Sequence, residues 1–213
     1  MTIDLDTVHL DQGAHGNPDD GHCLLEVVAM FVGQPFNDAP KCVSPVLRTF
    51  GIGLNDQWDD AQRQTLRPFI PRLPGTAGDG LDEARSYLAL DWLIRTYTPA
   101  WLDLAGLTES AAELRALRRI ADMAAAEAAG PVVRDAQTKA AAAGDAAWDA
   151  AWDAARAAAA WAAAGDAARA AAWDAARDAA RAAAAGDALK PTVELLQASA
   201  LDLFDRMIAP VPS

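Results

Sequence analysis

The chain has 213 residues, a formal net charge of −12 and 53 Ala, so much of its apolar content is small methyl surface. Its length suits one large helical domain, or a compact domain with an extended helical appendage. Residues 1–130 hold 19 acids and 10 bases, and because phosphate backbones and anionic membranes attract Lys and Arg, direct nucleic-acid binding is not expected.

The sequence also indicates where the protein resides. Its first residues have neither the basic nor the apolar region of a secretory signal, and no window holds about 18 strongly apolar residues in succession. We therefore expect a cytoplasmic protein that does not enter a membrane. In that reducing compartment, Cys23 and Cys42 are expected to be two free thiols.

The N-terminal part predicts an arm followed by helices. Residues 1–20 mix Gly, Asn, Pro and Asp without a sustained period and predict a flexible arm. A helical domain is predicted over 21–130. Its first helix is CLLEVVAMFV, whose apolar residues recur at helical spacing and which Gly33 closes. Ser44-Pro45 predicts the next helix start, as an N-cap residue and a first-turn proline.

The middle of this domain predicts further helices separated by a loop. One helix is expected at about 58–69, followed by a Pro/Gly-rich loop at 71–80. A stronger helix is predicted from Leu81 to Tyr97, with a stripe that mixes aromatic and charged side chains.

The remaining elements outside the repeat are also predicted to be helical. Thr98-Pro99 repeats the helix-start signal, and Thr108 begins an Ala-, Leu- and Arg-rich helix. Gly130-Pro131 is expected to end that helix near Ala129. Residues 190–213 predict a C-terminal helix that packs on the rest. No segment predicts a strand, so the predicted fold class is all-α.

Residues 131–189 are an Ala-rich segment, in which more than half of positions 135–189 are Ala. Gly-Asp pairs recur at 144–145, 165–166 and 186–187. This spacing of about 21 residues equals three heptads, so equivalent positions return near the same side of a helix. One helix of about 75 Å fits this repeat, and so do three shorter helices folded against one another. The short Gly-Asp connection favours the continuous helix.

The repeat has two different faces. Three Trp lie on a side that also carries Arg and Asp, whereas Trp161 lies on an opposite side that is nearly pure Ala. The Ala side is expected to pack on the protein or on a second copy. Trp and Arg are enriched at binding hot spots; alternatively, the Asp–Arg pairs only solubilise and stiffen the helix. The candidate partner-binding residues are Trp148, Trp152, Arg156, Arg169, Trp173 and Arg177.

Cys23 is the candidate nucleophile. It opens an apolar helix, where the helix dipole would lower the thiol pKa, and His22 beside it is the candidate base. The position resembles the papain-like peptidases, whose cysteine also opens a helix, but no later His follows in this chain. The alternative is a buried structural cysteine. His15, His22, Cys23 and Cys42 lack the ligand spacing of zinc modules, and no metal or cofactor is expected.

Three stretches carry a family resemblance: GHCLLEVVAMFVGQPFNDAPKCVSPVLRTFGIGLND, DWLIRTYTPAWLDLAGL, and the Ala-rich repeat ending in PTVELLQASALDLFDRMI. They resemble a family of Ala-rich helical proteins from high-GC, actinobacterial-type bacteria and their phages. The resemblance covers most of the chain and implies no assigned activity. The Ala/Trp/Asp/Arg repeats also look like those of some proteins described as immunity proteins against toxins.

These patterns favour an interaction or assembly protein that binds another protein or a second copy of itself. A phage-related or immunity-like role is its more specific version, in which the acidic domain neutralises a basic enzyme. The alternative function is a thiol-dependent enzyme that uses Cys23 with His22. A purely structural rod built from the repeat is a third possibility.

Overall fold

A computed structural model describes residues 3–143 and 189–210, and every regular element in these two ranges is helical. The all-α prediction is confirmed for this part of the chain. None of these helices combines the length and the apolar content that a bilayer-spanning segment requires. The elements are α1 (Leu24–Phe31), α2 (Pro45–Gln57), α3 (Asp60–Gln64), a 3-10 helix (Arg67–Arg72), α4 (Asp82–Trp92), a π-helical turn (Leu93–Tyr97), α5 (Thr98–Leu104), α6 (Thr108–Ala116), α7 (Met123–Ala143) and α8 (Lys190–Ile208).

The ends of the first two helices follow the sequence signals. Gly33 adopts a φ of 70° after α1, where the Gly33 N–H donates to Met30 O and the Gln34 N–H to Ala29 O. This pair of bonds satisfies carbonyls that the helix end would leave free. The Ser44 hydroxyl accepts from the backbone N–H of Val46 and of Leu47 at the start of α2, so both predicted helix ends are confirmed.

The helix predicted at 58–69 is two shorter elements. Asp59 caps α3 by accepting from the Gln62 N–H. Pro68 has no N–H to give to Gln64 O, and its ring would clash with that carbonyl in a continuous helix. The α-helix therefore ends at Gln64, and a 3-10 helix begins with Pro68 in its first turn.

An α-helix, α5, begins at Thr98 with Pro99 in its first turn, as predicted, but Thr98 is not an N-cap that follows a loop. The chain passes from α4 through the π-helical turn directly into α5. The N–H and the hydroxyl of Thr98 both donate to Leu93 O, the hydroxyl at 2.8 Å. The wider π turn precedes Pro99, whose ring would clash with the carbonyl four residues earlier in a regular α-helix.

The helix predicted from Thr108 to about Ala129 is wrong in two places. It breaks after Ala116, because the Ile120 side chain is buried and its N–H donates to Asp91 Oδ1 at 2.8 Å. A new helix, α7, then continues through Gly130 and Pro131 to Ala143. The signal at 130–131 predicts a stop, but this proline lies inside α7, which crosses the boundary expected at residue 130.

The C-terminal helix α8 packs on the N-terminal half of the chain. Phe204 contacts the rings of Phe50 and Phe69, with centroids 5.5 and 4.8 Å apart. Gly51 permits this approach, since a Cβ there would lie 3.3 Å from Phe204 Cζ. The Trp92 indole N–H donates to Ser199 Oγ at 2.9 Å. The core therefore joins residues that are far apart in sequence.

A buried guanidinium fixes the end of α8. The Arg85 side chain is fully buried, and its Nη1 donates to Asp79 Oδ1 at 2.7 Å and to Asp82 Oδ1 at 3.1 Å. Its Nε also donates to Met207 O at 2.9 Å. One cation thus neutralises two acids and satisfies a carbonyl at a helix C-terminus, where positive charge is favourable.

The segment predicted as a flexible arm is anchored to the helices at Leu10. That side chain is completely buried. Its backbone N–H donates to Gln64 Oε1 at 3.0 Å, and its carbonyl accepts from Gln64 Nε2 at 2.9 Å. Gln64 therefore pairs with both backbone groups of Leu10, and this part of the segment belongs to the folded domain.

Candidate interaction site

Cys23, the candidate nucleophile, is enclosed by the fold. It is the residue before α1, and its side chain is 4% exposed. Burial raises the pKa of the thiol to about 12, with the nearby Glu26 charge adding to the shift. The predicted lowering of this pKa is therefore wrong: burial of the thiol outweighs the backbone hydrogen bonds at the start of α1 that lower its pKa. Both Cys23 and Cys42 are free thiols, as predicted.

The group beside Cys23 is a buried carboxylate. Glu26 is fully buried and accepts from the backbone N–H of Cys23 at 2.7 Å and of His15 at 2.6 Å. His15 Nδ1 lies 2.8 Å from Glu26 Oε2. Burial alone would raise the pKa of Glu26, but these hydrogen bonds outweigh it and hold that pKa below its usual value. The Glu26 carboxylate therefore links His15, in the N-terminal segment, to Cys23 at the start of α1.

The structure does not pair His22 with the thiol as a base. The backbone N–H of His22 donates to Asp11 Oδ2 at 3.0 Å, and the His22 ring meets the edge of the Phe36 ring with centroids 6.3 Å apart. A cavity of about 30 Å³ beside Cys23 has room for about one water molecule. Within 3–143 and 189–210, no three His, Cys, Asp or Glu side chains come together as a metal site.

A larger groove lies between α6 and α7. Its volume is about 500 Å³, and it is largely open to solvent. The described lining consists of three residues from α6 and its end and three from α7: Glu113, Ala116, Leu117, Pro131, Val132 and Asp135. Four of these side chains are apolar and two are acidic, so the described lining offers a partly exposed apolar floor together with negative charge.

The two acids of the groove lie at the same end. Lys139 Nζ is 2.7 Å from Asp135 Oδ2 and 4.0 Å from Glu113 Oε2. The hydrogen bond that Lys139 donates to Asp135 raises the pKa of Lys139, and the charge of Glu113 adds to this. Glu113 and Asp135 are 53% and 54% exposed, so both carboxylates remain accessible from solvent.

Pro131 is one of the four apolar residues that line the groove. Inside α7 it leaves the carbonyl four residues earlier without its helical donor, and it is exposed rather than packed in the core. Sequence analysis missed this site because Gly130-Pro131 was interpreted as a helix end. The signal that was available is the helical spacing of Pro131, Val132 and Asp135, which lie on one side only if the helix continues.

The sequence-predicted partner surface cannot be compared with this groove. Trp148, Trp152, Arg156, Arg169, Trp173 and Arg177 all lie outside the described residues. The choice between a continuous repeat helix and a folded-back one also lies outside them, apart from the stretch to Ala143 that belongs to α7.

Comparisons with known proteins add no assignment. No family model, no curated protein and no solved structure matches this chain. The resemblance to the Ala-rich family of high-GC bacteria and phages stays a prediction.

Proposed function

We propose that this chain acts by binding another protein, and that the α6–α7 groove is where it does so. The observation that carries the proposal is an open apolar groove with accessible carboxylates on the surface of an acidic domain. Uncovered apolar grooves between helices are typical docking places for a partner's helix or loop. The groove is largely open to solvent, whereas small-molecule sites bury most of the ligand surface.

The thiol-enzyme alternative receives no comparable support. At neutral pH a thiol with a pKa of about 12 is protonated, and a nucleophilic cysteine needs a thiolate. Glu26, the acid nearest to Cys23, is occupied by donors from His15 and Cys23. The hydrogen bonds around Cys23 therefore stabilise the start of α1.

An immunity-like role is the more specific form of the proposal. The domain would cover a basic surface on a toxin or on a phage-related partner, because its acid excess favours a cationic surface. We place this interaction in the cytoplasm, where Cys23 and Cys42 would remain free thiols.

Site-specific crosslinking tests the proposal. A benzophenone amino acid replaces Ala116, which lies in the groove, or Leu195, which is 59% exposed on α8. We expect one adduct of defined mass from Ala116 and none from Leu195 in cells of the source species. The adduct protein, identified by mass spectrometry and purified, should bind the wild-type chain in light scattering and not the Ala116→Arg variant. Equal adducts at both positions, or none, would contradict the proposal.

The repeat supplies a second, separate prediction of a partner surface. Replacing Trp148, Trp152 and Trp173 together with Ala should abolish capture of the same partner if the repeat takes part. Circular dichroism of the variant should match the wild type. Unchanged capture would leave the groove as the proposed surface and remove the Trp face.

A further inference from the structure

The α6–α7 groove has an acidic end and an apolar end. On α6, Glu113 lies four residues before Leu117, and on α7, Asp135 lies four residues after Pro131. Four residues span about 6 Å along a helix. Since Lys139 reaches both Glu113 and Asp135, the carboxylates share one end, and the apolar side chains occupy the floor about one helical turn away.

Lys139 places a cation at the acidic end of the groove. Its ammonium group lies between the two carboxylates and leaves an acidic excess around it, because Glu109 also contributes negative charge. Two of the described bases nearby pair with other acids: Arg115 with Asp103 and Arg118 with Asp122. Arg134 lies against Gly130 and is not among the described residues that line the groove.

We infer that the groove takes an amphipathic helix of a partner protein, with an apolar side chain on the floor and a Lys or Arg three or four residues away. Side chains at i and i+4 lie one turn apart on one face of a helix, which matches the distance between the two ends of the groove. The inference rests on the proposed function and adds the chemistry of the partner: a basic segment.

The first experiment selects peptides that bind the protein from a random library. A displayed library of random helix-length peptides is selected on the immobilised full chain and counter-selected on the Ala116→Arg variant, whose long side chain would obstruct the groove. We expect the enriched peptides to carry an apolar residue with Lys or Arg three or four positions away. Enrichment of peptides without a basic residue, or no groove-dependent enrichment, would overturn the inference.

Matched variants then measure the contribution of the carboxylates. For one enriched peptide, Glu113→Gln with Asp135→Asn should weaken binding about three- to tenfold in fluorescence anisotropy, as the loss of one or two exposed ion pairs predicts. Glu194→Gln with Asp202→Asn removes the same charge from α8 and should leave affinity unchanged. Equal weakening by both double variants would mean that only net charge attracts the peptide, and would overturn the inference.

Three outcomes separate this inference from the proposed function. If crosslinking at Ala116 identifies a partner whose contacting segment has no basic residue, the proposed function stands and the inference fails. If no adduct forms at Ala116 and no peptide is enriched, both fail. Spermidine that binds the wild-type chain and not the Glu113→Gln/Asp135→Asn variant, without peptide enrichment, would assign the groove to small cations and overturn the inference.

Discussion

The buried charged groups of the core and the carboxylates of the α6–α7 groove both form ion pairs and hydrogen bonds, but they differ in their exposure to solvent. Glu26 and Arg85 are fully buried, and their hydrogen-bonding atoms have partners within the chain. Glu113 and Asp135 are more than half exposed and share one Lys139. A buried charge must be paired to be tolerated, whereas an exposed one costs little to leave available.

The comparison separates residues that specify the fold from residues that can bind. Removing a buried partner leaves an uncompensated charge or donor, so the core groups should control stability. Removing a groove carboxylate leaves no buried charge or donor without a partner. It should therefore change the affinity for a ligand and not the stability of the fold. Four predictions test this division.

The largest effect on stability is expected at Arg85. Arg85→Met should lower the free energy of unfolding by about 3–5 kcal/mol, because it removes the cation that pairs with Asp79 and the donor to the carbonyl of Met207. Chemical denaturation followed by circular dichroism measures it. Arg118→Met removes a guanidinium that is 72% exposed and should cost less than about 1 kcal/mol. Similar losses for both variants would contradict the division.

Cys23 should be nearly inert in the folded protein. Raising the thiol pKa from 9.0 to about 12 reduces the thiolate fraction at neutral pH about a thousandfold. Iodoacetamide labelling of the Cys42→Ser variant, in which Cys23 is the remaining thiol, should therefore be slow and should become fast in denaturant. Labelling of the folded variant as fast as that of a short unfolded peptide would revive the thiol-enzyme function.

Glu26 should make stability depend on acid pH. Its pKa is lowered in the fold, so its contribution is present above the unfolded pKa of about 4.3 and is lost as pH falls through the folded pKa. Glu26→Gln should cost about 2 kcal/mol at pH 7 and show a shallower decline between about pH 5 and 3. Urea midpoints across that range measure both effects. Asp79, whose pKa is lowered by Arg85, still titrates in both proteins, so only the difference between the two profiles is diagnostic.

The smallest effect on stability is expected in the groove. Glu113→Gln with Asp135→Asn should change the free energy of unfolding by less than about 0.5 kcal/mol, because both side chains are exposed. The same denaturation measurement applies. A loss above about 2 kcal/mol, well beyond what exposed substitutions cost, would show that these carboxylates hold α6 and α7 together. Any binding defect of the variant would then be structural.

The sequence predicted correctly the features that depend on residues close together in the chain, and it failed for features that depend on residues far apart. Ser44, Pro45 and Gly33 act on the turn that contains them, and their helix ends were predictable. The break after Ala116 was not, because it depends on the burial of Ile120 and its bond to Asp91, 29 residues away. Gly130-Pro131 was wrongly interpreted as a helix end, because a proline often ends a helix but can also lie inside one, as Pro131 does in α7.

The candidate sites show the same limit. The sequence could name Cys23 as the opening of an apolar helix, but only the fold shows that the thiol is buried beside Glu26. The groove combines Glu113 and Leu117 with Pro131 and Asp135 across a helix break that the sequence signals did not reveal. No local pattern could have joined them.

The sequence by itself determined the acidic charge, the all-helical class and the helix ends set by local capping. The tertiary structure decided which way the polar groups face, since that depends on contacts such as Arg85 with Met207, 122 residues apart. The physical reason is that capping and periodicity act within a few residues of the chain, whereas burial, and with it pKa and accessibility, is set by whatever the fold packs around each group.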